Sequence, residues 1–206
     1  MSSDQWKNVL LTSAGFFDND EKPRISIINQ FASMLNKPYE DTKVLFIPTA
    51  ALAPGDAIPE YVQFCMNDLL LLGIPQENIT TYDIDGSLTE QEAMTFDVIF
   101  FTGGNTPYLA KRVKETAFDR IIKGMVYANK VYVGISAGSM IAMTDFNVDQ
   151  LTESSPGEFS GLDLINIYFT VHCLPDTPPR EDLPGIHIPL TDEQALVVTW
   201  DGYELI

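Results

Sequence analysis

Lys130-Val131-Tyr132-Val133-Gly134-Ile135-Ser136-Ala137-Gly138-Ser139-Met140 is the stretch on which the fold turns. Its apolar start, β-branched and aromatic, suits a strand buried on both faces of a parallel sheet. Gly134-Ile135-Ser136-Ala137-Gly138 then has the Gly-x-Ser-x-Gly pattern, and Ser139 to Met143 can open a helix. Strand, sharp turn and helix are the context in which that pattern presents a nucleophilic serine. Glycines are needed because strand and helix approach closely around a strained residue. The helix N-terminus favours negative charge, so the Ala137 N–H is a candidate oxyanion donor. A small-residue strand-to-helix turn of the kind found in nucleotide-binding α/β proteins is the competing reading.

Working outward, Asp97 to Thr102 is another apolar strand, and it runs directly into Gly103-Gly104-Asn105. Asn8 to Ser13, Lys43 to Pro48 and Ile79 to Tyr82 read as further strands. Between them lie helical stretches. Ile25, Ile28, Phe31, Ala32 and Leu35 recur at helical spacing, and Ile58 to Leu72 is ended by Gly73. Thr89 to Glu92 opens a small acidic helix, and the stretch from Tyr108 to Asn129 is helical with a break near Thr116. Strands alternating with helices predict one domain over residues 1–206, a doubly wound, mostly parallel α/β sheet with helices on both faces. Active sites of such sheets lie at the carboxyl ends of the strands, where both Gly104 and Ser136 fall.

After Asp145 the pattern changes. Asn147 to Ser160 reads as loop and Leu164 to Val171 as a strand that delivers His172. Leu174 to Pro189 is a proline-rich excursion, and Ala195 to Trp200 is a final strand that meets Asp201-Gly202.

Composition narrows the function. Of 206 residues, 45% are hydrophobic, enough for a sizeable core. Lys and Arg number 12 against 29 acidic residues, a net charge of −17, which argues against a nucleic-acid partner. No apolar run is long enough to span a membrane. Cys65 and Cys173 lack metal-ligand spacing, no ligand cluster or cofactor motif is visible, and Met1 is not followed by an export leader. The expectation is a reduced cytoplasmic protein without metal or cofactor, acting on small molecules as monomer or homodimer.

A serine needs a base, and the chain has two histidines. His172, directly after a strand, is the candidate; His187 lies in the proline-rich excursion. The acid that orients the imidazole is assigned to Asp201, with Asp149 or Asp145 as alternatives. Gly104 supplies the second oxyanion donor beside Ala137, and Asn105 fixes that loop and faces substrate. Order along the chain is then Ser, His, Asp, unlike the order of α/β-hydrolases.

With these residues placed, the chain resembles the dipeptidase E family, the α-aspartyl dipeptidases, serine peptidases on a fold like class I glutamine amidotransferases. Phe101 to Thr106 is similar to the family's Gly-Gly-Asn-Thr segment, Gly134 to Gly138 to its nucleophile segment, and Gly161 to His172 to the strand before its histidine. Asp201-Gly202 falls where the family carries an acidic residue before Gly. The resemblance implies a metal-free intracellular serine peptidase of short peptides, extending to dipeptides with N-terminal Asp. Pro179-Arg180-Glu181 is similar to the segment whose Arg reads that Asp, which makes Arg180 a substrate-binding residue. An ion pair of Arg180 with Glu181 or Asp182 is the plainer reading. An esterase using the same triad, and a non-catalytic binding protein on this fold, remain open at this point.

Overall fold

The computed structural model describes residues 8–146, 160–183, 185–199 and 202–206. A seven-stranded sheet runs through the molecule in the order β3-β2-β4-β5-β1-β8-β9. Its strands are β1 (Val9–Thr12), β2 (Val44–Ile47), β3 (Ile79–Thr81), β4 (Val98–Phe101), β5 (Val131–Ile135), β8 (Ala195–Thr199) and β9 (Gly202–Leu205). From β3 to β1 every pairing is parallel, whereas β8 pairs antiparallel with both β1 and β9. The expected mostly parallel α/β sheet is therefore present, with a reversed margin.

Strand alternation sorts the core into two layers. Leu10, Phe46, Phe100 and Val133 point to the face covered by α1 (Ile25–Met34) and α2 (Pro59–Leu71), where Ile27, Phe31, Cys65 and Leu69 meet them. Leu11, Leu45, Phe101 and Tyr132 point to the other face. That face is covered by α3 (Glu90–Ala93), α4 (Thr106–Glu115), α5 (Phe118–Tyr127) and α6 (Ala137–Met140). The central strands are buried on both sides, which is why they read as unbroken apolar runs.

Local chemistry sets the element ends. Thr89 and Glu92 form a capping box: the Glu92 N–H donates to Thr89 Oγ1 (3.2 Å) and the Thr89 N–H to Glu92 Oε2 (2.9 Å). The predicted break near Thr116 is the α4–α5 junction, where Ala117 adopts φ 55°.

Three sequence expectations are revised. The strand expected over Leu164 to Val171 is only β6 (Tyr168–Thr170), and it pairs outside the main sheet with β7 (His187–Pro189). Leu164 and Ile165 are buried all the same. They pack as loop on the residues after α6, with the Leu164 N–H donating to Ala142 O (2.8 Å). An apolar run registers burial, and here burial is reached with one isolated bridge, Ile165 to Met143, rather than a strand ladder. His187, expected in an irregular excursion, is a buried strand residue. Ala195 to Trp200, read as the final strand, is followed by β9, an antiparallel partner with Gly202 opposite Thr199.

Candidate active site

Ser136 stands between β5 and α6 at φ 48°, ψ −106°, a conformation that costs a non-glycine residue on the order of 1–3 kcal/mol. Close packing imposes it. A β-carbon on Gly134 would lie 2.5 Å from Gly138 O, and one on Gly138 would lie 2.5 Å from the Phe101 β-carbon. Only with glycine at both positions can α6 fold back over β5 and the end of β4. Main-chain bonds hold the turn: the Ser136 N–H donates to Thr12 O (3.0 Å) and Ser139 Oγ donates to Gly134 O (2.7 Å).

His172 follows β6 and also has a positive φ, 57°. Its Nε2 lies 3.0 Å from Ser136 Oγ and its Nδ1 lies 2.7 Å from Asp192 Oδ1. A carboxylate can only accept, so the proton facing it sits on Nδ1. Nε2 is then the acceptor for the serine hydroxyl. Both the imidazole and the carboxylate are about half exposed, at 50% and 52%. The crevice is thus open to substrate and water.

Asp192, the carboxylate that meets His172 Nδ1, was not among the residues the sequence offered as the acid. Asp201 and Asp149 lie outside the described residues, and Asp145 is an exposed residue bridged to Ser160. The direction of β8 would have pointed to Asp192. Ala195, the first residue of β8, sits beside Thr12 at the catalytic end of β1, and Val198 sits beside Val9 at the other end. The turn before β8, Thr191 to Gln194, therefore borders the crevice. The signal available in the sequence was Thr191-Asp192-Glu193, a polar turn between two apolar stretches.

Gly104 has φ 133°, and a β-carbon there would collide with the Ala50 carbonyl. Its N–H, like that of Ala137, has no hydrogen-bond partner among the described residues. The Tyr61 hydroxyl lies beside the neighbouring Gly103, and burial raises its pKa, so that it stays neutral. A β-carbon on Gly103 would stand 2.6 Å from that hydroxyl and 3.1 Å from the Ser136 β-carbon. The glycine pair thereby lies against the serine. Asn105 is occupied structurally: Oδ1 caps α4 by accepting the Tyr108 N–H (2.8 Å), and Nδ2 donates to Asp56 Oδ2 (3.2 Å).

Arg180 and His187 belong to one unit. The Arg180 N–H donates to His187 Nδ1 (3.0 Å), and His187 Nε2 meets Thr170 Oγ1 (2.8 Å). The Arg180 guanidinium forks onto Asp182 (3.1 and 2.6 Å), the pairing named above as the plainer reading. That fork is the main reason the Asp182 carboxyl is held below its usual range. Among the described residues no cluster of His, Cys, Asp and Glu could hold a metal, and no helix is long and apolar enough to cross a membrane.

Comparison with known proteins finds relatives among peptidases. The chain is 29% identical over 181 residues to the uncharacterized peptidase Lmo0363 of Listeria monocytogenes, covering 85% of this chain and 82% of that one. It is 30% identical over 151 residues to the uncharacterized peptidase Lin0382 of Listeria innocua, covering 72% of this chain and 65% of that one. A crystal structure of a protein of Listeria monocytogenes EGD-e described as a candidate peptidase E superposes with a TM-score of 0.70 at 23% identity, over 98% of both chains. A crystal structure of a peptidase from an acI-B1 Actinobacterium superposes with a TM-score of 0.60 at 20% identity, over 96% of this chain and 86% of that one. These likenesses in structure concern the fold. The model of peptidase family S51 matches residues 9–205, and the chain accordingly belongs to that family, the dipeptidase E family of serine-type peptidases.

Proposed function

We propose that the protein hydrolyses short peptides through a triad of Ser136, His172 and Asp192, with the N–H groups of Gly104 and Ala137 as oxyanion donors. The observation that carries this reading is the continuous chain of contacts from Asp192 through His172 to Ser136, at 2.7 and 3.0 Å, ending on a serine in a strained turn. His172 Nε2 takes the Oγ proton as Oγ attacks the scissile carbonyl. The oxyanion that forms is met by amides already fixed in place, at no reorganisation cost. His172 then returns the proton to the leaving amine, and water repeats the sequence on the acyl-enzyme. Asp192 holds the tautomer and offsets the imidazolium charge.

A preference for N-terminal Asp is a second, finer reading, favoured by Arg180. Its backbone is tied through His187 to Thr170 of β6, the strand just before His172. A substrate carboxylate has to share the guanidinium with Asp182, so the preference is graded rather than absolute. Thiols at the two cysteines, Cys65 and Cys173, suit a reducing cytosol, the compartment we assign.

The test is labelling by a fluorophosphonate followed by a dipeptide and ester panel. Label on Ser136, lost in Ser136→Ala together with peptide turnover, is expected. An unlabelled, inert folded protein would return the binding-protein reading, and turnover of esters alone would make it an esterase.

A further inference from the structure

We infer that Ser13 is a positioning residue that sets the catalytic geometry, an inference that rests on the triad proposed above. Ser13 follows β1 and is fully buried. Its Oγ accepts the backbone N–H of His172 (3.1 Å) and donates to the backbone carbonyl of Leu190 (3.2 Å). A single hydroxyl therefore joins the residue carrying the base to the turn carrying its acid, for Leu190 lies two positions before Asp192. The Leu190 carbonyl also accepts the Cys173 N–H (2.9 Å), and the Leu190 N–H donates to Thr170 O (2.8 Å), so the two segments are laced together around Ser13.

The need for such a tie follows from how His172 is held. It lies two residues beyond a three-residue strand that pairs only with β7, outside the main sheet, and its backbone is left-handed. Nothing in the ladder fixes its ring opposite Ser136. The anchor comes from the end of β1, whose last residue, Thr12, accepts the Ser136 N–H at its carbonyl. Thr12 and Ser13 thus reference the nucleophile, the base and the acid to one point at the end of a central, buried strand. A serine suits that task because its hydroxyl donates and accepts at once. Alanine removes both bonds and leaves the His172 N–H unpaired.

Loss of the tie lowers the fraction of molecules with ring and serine aligned, without touching the surface that binds substrate. Turnover falls with that fraction while KM holds. Ser13→Ala is expected to lower kcat about 10- to 100-fold, the cost of a misplacement near 1 Å. KM should stay within about threefold. A spectroscopic reading separates positioning from general loosening: the downfield Nδ1–H proton resonance of the His172–Asp192 pair should broaden or vanish in Ser13→Ala, as in Asp192→Asn. Ser13→Thr, which keeps the hydroxyl, should restore most of the turnover and the resonance. If Ser13→Ala does not fold, Ser13→Cys carries the same test with a side chain that is only a weak donor and acceptor. Wild-type kcat and an unchanged resonance in the folded variant, or a change confined to KM, would overturn the inference. An inactive Ser136→Ala beside a wild-type-like Ser13→Ala would overturn it alone, whereas an active Ser136→Ala would remove the triad as well.

Discussion

Replacing Asp192 by Asn tests the assignment of the acid, and its cost can be bounded from the geometry. The carboxylate accepts from His172 Nδ1 at 2.7 Å and supplies a charge to an imidazole that becomes cationic in the transition state. Both groups are about half exposed, so water screens the attraction to about 1–2 kcal/mol, well below the value for a buried pair. The tautomer effect is not screened. If the amide turns its NH2 toward Nδ1, the ring proton is driven to Nε2, where it blocks acceptance of the serine proton. A buried triad acid is worth about 10⁴-fold in kcat, and half-exposure brings the expectation here to about 10²- to 10³-fold, or about 3–4 kcal/mol. The assay is kcat and KM on a dipeptide substrate for Asp192→Asn, Glu193→Gln and Asp201→Asn, each checked for folding by circular dichroism. Glu193→Gln and Asp201→Asn should remain within about threefold of wild type. If Asp192→Asn turns over normally while Asp201→Asn is dead, the acid is Asp201 and the contact at Asp192 is incidental.

Ser136→Gly should be inactive yet at least as stable as wild type, by up to about 1 kcal/mol, because glycine relieves the strain at φ 48°; a clear fall in Tm would mean the turn is not strained. Asp68, buried under the turn after β1, is pushed up to about 7 by desolvation, against the opposing pull of the Phe16 N–H and Arg24. With the folded value above the unfolded value of about 4, the penalty is absent below pH ~4, grows as pH rises, and is complete above pH ~7, reaching a few kcal/mol. Asp68→Asn keeps an acceptor for the Phe16 N–H (2.7 Å) and should flatten the fall of Tm between those pH values; parallel profiles would refute the burial argument. Arg180→Ala should lower kcat/KM for an N-terminal Asp peptide about 5- to 30-fold, at the low end for a charge pair because Asp182 already engages the fork, and should leave a neutral peptide nearly unchanged. Equal losses on both peptides would remove Arg180 from substrate recognition.

Much of this arrangement was legible in the sequence because it depends on local chemistry. The elbow at Ser136 needs glycines on either side, and the parallel strands are apolar on both faces, so each left a pattern along the chain. His172 was legible because it directly follows an apolar run. What stayed hidden depends on strand direction and partner choice. A run such as Ala195 to Trp200 reads the same forward and backward, so whether its start or its end borders the crevice is decided by pairing with β1, which no local pattern encodes. The same holds for His187: its prolines suggested surface loop, but pairing of β7 with Tyr168 to Thr170 buries the ring. Prolines are tolerated there because the strand is short and lies outside the main sheet.

That reversed strand also accounts for the side of β8 on which the proposed acid stands. In an all-parallel sheet each catalytic group comes from the carboxyl end of a strand, so an acid borne on the last strand would have to follow it. Here β8 returns antiparallel beside β1, and its amino end lies where the carboxyl ends of β1 and β5 lie. A group in the turn before β8 can thus reach a base that stands opposite the end of β5. His172 occupies the space between, just after β6 and outside the main ladder. The proposed acid therefore precedes β8 rather than following it. A chain with β8 running parallel would need its acid beyond the strand, and the turn from Thr191 to Gln194 would then lie at the far end of the sheet.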